Sequence, residues 1–249
     1  TTSFFSNVAL DSLKNSIVPV VNNLLSKGEI SSISLYYRDL NNGPWFGINE
    51  KADFSPASLI KVPLMIAYYK EAESNPDILK QTLEYSPIKN DGLTQDILPS
   101  LTLTPNQTYT VDELIKNMIV YSDNQAYDLL LNNIDNQLLI NTYTKLGVDI
   151  SKGFTDPNGN ILSVKSYAAF FRILYNASYL NATMSEKALS LLAQTQYQDG
   201  LVKGINNPNI TIAHKFGERT YPDTGEKQLH DCGIVYLPQK PYLVCVMTR

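Results

Sequence analysis

Ser58-Leu59-Ile60-Lys61, set just ahead of the apolar run Val62, Leu64, Met65, Ile66 and Ala67, decides how this chain is read. A serine and a lysine three apart on a helix lie on one face, so the amine reaches the hydroxyl. Serine is a poor nucleophile at neutral pH unless an adjacent base removes its proton. A lysine held among apolar side chains has its pKa depressed by desolvation and can serve as that base. A position near a helix start adds backbone N–H groups that favour developing negative charge at Ser58. Alone the quartet is weak, because a helix start with a solvated lysine is spelled the same way. A second copy, Ser86-Pro87-Ile88-Lys89, is followed by Asn90-Asp91-Gly92 and reads as a loop without fixed Ser–Lys geometry.

Two further stretches change the reading. Tyr121-Ser122-Asp123-Asn124 lies between two helical patterns, and His214-Lys215-Phe216-Gly217 lies on an expected strand. In this order the three stretches resemble the Ser-x-x-Lys, Ser-Asp-Asn and Lys-Thr-Gly motifs of class A β-lactamases and penicillin-binding proteins. The match is complete at Ser58/Lys61 and at Ser122-Asp123-Asn124. It is partial at Lys215-Phe216-Gly217, where Phe216 stands in place of the usual hydroxyl residue. Asp199-Gly200-Leu201, and His230 through Val235, extend the likeness on either side of the third motif.

The resemblance implies roles. Ser58 is the expected nucleophile and Lys61 the acylation base. Ser122 would relay a proton to the leaving nitrogen, with Lys215 close enough to hold down its pKa and attract a substrate carboxylate. Asn124 offers an amide to the substrate's acyl side chain and to Lys61. The oxyanion hole is expected at the backbone N–H groups of Ser58 and Glu218, Gly217 allowing close backbone approach. Plainer readings stand beside these: Ser122 as a helix N-cap, Lys215 as a solvated strand residue, and Asp123 as a carboxylate accepting backbone N–H bonds. His214 and His230 read as structural. Arg219 and Thr220 are alternatives for the cation or hydroxyl offered to a substrate carboxylate, and Tyr121 for lining the cleft.

One part of the pattern is absent. Class A β-lactamases carry a Glu-x-x-Leu-Asn setting whose Glu activates the deacylating water, and no such setting occurs between Asn124 and Lys215. The stretch 147–160 is rich in turn residues, and its carboxylates are Asp149 and Asp156. Asp156 is a weak replacement, one methylene short and followed by Pro157-Asn158-Gly159. Without a deacylating base a penicillin would acylate Ser58 and stay. The expected activity is therefore a slow or narrow β-lactamase, with a D,D-peptidase or esterase close behind and a non-catalytic penicillin sensor third. Lys61 and Ser122 argue against the sensor, which has no use for a proton relay.

Composition sets the frame. The chain has 249 residues, 43% hydrophobic and 18% charged, which fits a folded protein with a sizeable core. A net charge of −4 gives no basic face for nucleic acid. No apolar run is long enough to span a bilayer, and no charged segment followed by an apolar one marks a signal peptide. The resemblance implies a bacterial cell-envelope or secreted location, a small-molecule or peptidoglycan-like acyl substrate, and a monomer. The four Asn-x-Ser/Thr sequons (Asn106, Asn176, Asn181, Asn209) then carry no function. No cofactor is called for, and the two cysteines and two histidines lack zinc-ligand spacing. Cys232 and Cys245 fall on two expected strands, roughly diagonal to each other if the strands pair. Two buried free thiols are the favoured reading over a disulfide.

Hydrophobic spacing predicts a helix over 7–26, strands over 32–38 and 45–48 joined by a turn at Asn41-Asn42-Gly43-Pro44, and helices through most of 58–194. Thr110-Val111-Asp112-Glu113 reads as a capping box. Strands are predicted over 210–216, 229–237 and 242–248. The fold class is α+β: residues 1–50 with 205–249 are expected to form an antiparallel sheet lobe, and 51–204 a mainly helical lobe. The resemblance places the active site in the cleft between them.

Overall fold

The structure, a computed structural model, describes residues 2–41, 43–87, 96–148 and 159–249. Part of the second Ser-x-x-Lys, Asn42 of the predicted turn, and both Asp149 and Asp156 lie outside the described residues.

The architecture is mixed α and β. A five-stranded antiparallel sheet has the order β2-β1-β9-β8-β7. Its strands are β1 (Ile33–Asp39), β2 (Trp45–Ile48), β7 (Ile212–Thr220), β8 (Lys227–Val235) and β9 (Tyr242–Thr248), so both ends of the sequence build it. Two short pairs, β3 (Asp53–Phe54) with β6 (Leu162–Ser163) and β4 (Thr82–Glu84) with β5 (Thr108–Thr110), lie among the helices. The helices are α1 (Thr2–Ser26), α2 (Lys61–Ala72), α3 (Val111–Val120), α4 (Asn124–Leu131), α5 (Asn136–Lys145), α6 (Val164–Tyr175), α7 (Ala182–Leu192) and α8 (Leu201–Ile205). No helix among the described residues is long and apolar enough to cross a membrane.

Helix α2 is the central pillar. Ten of its twelve residues are buried, from Lys61 to Ala72, so it has no solvent face. Such a helix must be wrapped on all sides, and α3, α5 and α7 pack around it. The capping box is present: Thr110 Oγ1 accepts from the Glu113 N–H at 3.2 Å, and the Glu113 carboxylate accepts from the Thr110 N–H at 2.8 Å. The stripe predicted on α1 is wider than the face that is buried. Val21 is buried, while Val8, Leu13, Val20 and Leu25 remain exposed.

Pairing of the C-terminal strands corrects one expectation. Cys232 lies directly opposite Cys245 across β8 and β9, not diagonal to it, and a disulfide joins them where free thiols were expected. Cysteines facing each other on adjacent strands have the short Cβ separation that a disulfide needs.

Close strand contact also constrains Gly233, which pairs with His214 across β7 and β8. A Cβ there would fall 2.5 Å from both the Ala213 carbonyl oxygen and the His214 Cβ. Gly233→Ala is expected to destabilise the protein by about 2 kcal/mol, read as a lower urea midpoint with an unchanged m value.

Candidate active site

Three separate segments bring the predicted motifs together. Ser58 lies on a 3-10 helix (Ala57–Ile60) that runs directly into α2, whose first residue is Lys61. In a 3-10 helix side chains three apart eclipse one another, which tightens the Ser–Lys juxtaposition that an α-helix would allow. Ser122 ends the turn between α3 and α4. Lys215 sits on β7, the sheet's edge strand, which packs against the 3-10 helix. Gly217 permits that contact, since a Cβ there would come within 3.1 Å of Leu59 Cγ and of the Pro56 carbonyl oxygen. Ala57 and Ser122 both adopt left-handed backbone conformations, at φ 46° and 58°. Non-glycine residues hold such angles at a cost that the surrounding packing must meet.

The side chains converge. Lys61 Nζ lies 3.0 Å from Ser58 Oγ, 2.7 Å from the Ser122 carbonyl oxygen, 3.2 Å from Ser122 Oγ and 2.6 Å from Asn124 Oδ1. Lys215 Nζ donates to Ser122 Oγ at 2.9 Å and to the Phe216 carbonyl at 3.1 Å. Both lysines are buried, at 2% and 0% exposure, and among the described residues neither forms an ion pair with a carboxylate. Desolvation therefore dominates. It lowers the Lys61 pKa to about 7, opposed by the charges of Asp123 and Asp128. Lys215 is pulled well below the usual lysine range by burial and by Lys61, with Asp231 opposing.

Hydrogen-bond counting agrees with a neutral Lys61. Two of its neighbours, the Ser122 carbonyl and Asn124 Oδ1, can only accept, and an amine has two N–H groups for them. In that form its lone pair is left to take the proton of the Ser58 hydroxyl, whose oxygen lies 3.0 Å away.

The plainer readings resolve residue by residue. Ser122 is not the N-cap of α4. Asp123 is, accepting from the Gln125 and Ala126 N–H groups at 2.7 and 3.3 Å, and its other oxygen accepts from the Leu103 N–H at 3.1 Å. Lys215 is buried, not solvated. His214 contacts Asp231 at 2.9 Å, and His230 Nε2 contacts the Ser55 carbonyl at 2.9 Å. Burial lowers the His230 pKa to about 4, leaving it neutral. Both imidazoles are thus enclosed within the fold. Phe216 is buried and stacks on Tyr197 with ring centroids 4.1 Å apart.

These groups open onto a cleft of about 530 Å³ lined by Ser58, Lys61, Asn124, Asp128, Glu218 and Arg219, among others. The Arg219 guanidinium donates to Ser55 Oγ at 3.0 Å and lies over the Tyr221 ring. The Thr220 hydroxyl is engaged by Asp96 at 2.8 Å. The Glu218 carboxylate accepts from the Ile97 N–H, and burial raises its pKa. Asp128 was not singled out from the sequence. Its signal was its place four residues after Asn124, one helical turn along the same face of α4.

Comparison with known proteins places the chain. The profile of the beta-lactamase enzyme family matches residues 17–249. No curated protein sequence matches. Among solved structures, a TLA-3 extended-spectrum beta-lactamase has a TM-score of 0.75 at 20% identity, covering 96% of this chain and 90% of that one. A beta-lactamase from Chitinophaga pinensis has a TM-score of 0.73 at 19% identity, covering 92% and 88%. PBP-A has a TM-score of 0.71 at 23% identity, covering 88% and 81%. At these identities the structural likeness is one of fold, and the profile match carries the membership. The chain belongs to the beta-lactamase enzyme family and is a beta-lactamase-like serine hydrolase.

Proposed function

We propose that Ser58 forms an acyl-enzyme, with Lys61 as the base, and that β-lactams are among the substrates. The observation that carries this reading is the 3.0 Å contact between a buried Lys61 amine and the Ser58 hydroxyl. Ser58 Oγ attacks the carbonyl carbon as its proton passes to Lys61 Nζ. The C–N bond of the resulting tetrahedral adduct breaks, and the proton reaches the leaving nitrogen through Ser122 Oγ, 3.2 Å from Lys61 Nζ. Lys215 holds that hydroxyl in place, and Asn124 orients Lys61 and meets the acyl side chain. The oxyanion donors are the backbone N–H groups of Ser58 and Glu218, each contributing roughly 3 kcal/mol in the transition state. Support for this hole comes from Gly217, which lets β7 close onto the 3-10 helix.

This reading includes the division of the chain into a sheet lobe (1–50 with 205–249) and a helical lobe (51–204), with the cleft between them. It also includes a substrate encountered outside the cytoplasmic membrane. A second reading, a D,D-peptidase or esterase, is favoured by one observation. With Phe216 stacked on Tyr197 and Thr220 bonded to Asp96, the third motif presents fewer hydroxyl donors for a substrate carboxylate.

Incubation with benzylpenicillin is expected to add the mass of one penicillin to the intact protein, and Ser58→Ala abolishes the adduct. Wild-type protein that neither carries the adduct nor consumes benzylpenicillin at high concentration refutes the β-lactam reading, and nitrophenyl esters then test the esterase one.

The sign of the pH dependence follows from Lys61. Its amine is active only when deprotonated, so the acylation rate is expected to rise with pH through about 7 and level off above it. Lys61→Arg, which keeps the charge but cannot deprotonate, is expected to lower acylation by roughly 100-fold or more. Rapid-quench mass spectrometry across pH 5 to about 9 measures both.

A further inference from the structure

We propose that Asp128 activates the water that releases the acyl group from Ser58, a role that rests on the acyl-enzyme reading above. The sequence lacks the glutamate setting that would do this, yet the cleft holds a carboxylate in reach of the same chemistry. Asp128 lines the cleft together with Ser58 and Lys61. It lies one turn along α4 from Asn124, whose side chain already bonds Lys61 at 2.6 Å.

What separates Asp128 from the other nearby acids is that its carboxylate is uncommitted. Asp123 is taken up by three backbone N–H groups. Asp231 holds His214 and the Leu201 N–H. Glu218 accepts from the Ile97 N–H. Among the described residues, no side chain or backbone group hydrogen-bonds or ion-pairs with the Asp128 carboxylate. A half-buried carboxylate without a protein partner keeps its lone pairs for water. Burial also raises its pKa, in the direction that makes a carboxylate a better base.

The step balances within the site. A water oxygen attacks the ester carbonyl carbon while one of its protons passes to the Asp128 carboxylate. The bond from that carbon to Ser58 Oγ then breaks. Asp128 passes that proton to Lys61, and Lys61 gives it to Ser58 Oγ across their 3.0 Å contact, leaving the carboxylic acid product and the resting site.

Burst and steady-state hydrolysis of a chromogenic cephalosporin by the full chain tests this, with the quenched protein weighed intact. Wild type is expected to turn over continuously. Asp128→Asn is expected to keep a burst of one equivalent at a rate within about threefold of wild type, while steady-state turnover falls roughly 100-fold or more and the acyl adduct accumulates. Asp128→Glu, which keeps the carboxylate, is expected to retain turnover. Wild-type turnover by Asp128→Asn overturns the proposal. So does accumulation of the adduct by Asp156→Asn in its place, or a wild-type protein that stops after one burst. Loss of the burst along with turnover in Asp128→Asn assigns the residue a structural role and also overturns it. A folded wild-type protein with no burst at all refutes the acyl-enzyme reading first, and this inference with it.

Discussion

Two lysine amines are buried about one serine hydroxyl, and among the described residues no carboxylate pairs with either. Lys61 and Lys215 both reach Ser122 Oγ, at 3.2 and 2.9 Å. Desolvation of an ammonium without a paired anion costs several kcal/mol. A fall in the Lys61 pKa from 10.5 to about 7 corresponds to roughly 5 kcal/mol against its charged form. The fold must supply that energy from packing elsewhere, and α2 is where it does so. A helix buried on every side carries Lys61 at its first turn, so the lysine cannot swing out to water without unpacking its neighbours. Stability lost at a site and recovered in the core is a common arrangement where a reactive group must be kept poised.

The rest of the architecture fixes where that helix begins. Strand β7 lies at the edge of the sheet, and a free edge would ordinarily be a liability. Here the 3-10 helix packs against it, through a glycine with no room for a side chain. The strand in turn is held by β8, where Gly233 allows His214 to pack against the backbone and Cys232 is bonded to Cys245 of β9. A chain of close backbone contacts therefore runs from the middle of the sheet to Ser58. Any substitution that widens one of them displaces Lys215 relative to Ser122, even when it lies on the far side of β8.

Much of this was legible in the sequence, for reasons specific to each element. The convergence of Ser58, Lys61, Ser122 and Lys215 could be anticipated because the three motifs they carry occur in a recognisable order. The capping box at Thr110 and the strand from Tyr242 were read from local chemistry alone. The disulfide was missed because its formation depends on register, which spacing along two separate strands does not fix. The exposed side of α1 was misread because apolar periodicity reports what a helix can bury, not what packs against it. Asp128 escaped notice for a third reason. An aspartate in mid-helix is ordinary until its neighbours are known, and only the cleft reveals that it shares a lining with Lys61 and has no hydrogen-bonding partner among the described residues.

Phe216 changes what surrounds the Lys215 amine. A hydroxyl at that position would offer the substrate a donor, whereas the ring offers Lys215 a face: Lys215 Nζ lies 4.3 Å from its centroid. With Ser122 Oγ and the Phe216 carbonyl, that gives the Lys215 amine three electron-rich partners. Lys61 has two acceptor-only partners and a hydroxyl that needs an acceptor, which suits a neutral amine. Two interacting amines this close titrate as a pair. Burial lowers the pKa of both amines, Lys215 well below the usual lysine range, and the Lys61 amine lies 3.0 Å from Ser58 Oγ. In the acylation proposed above, a proton leaving Ser58 meets Lys61 at 3.0 Å before Ser122.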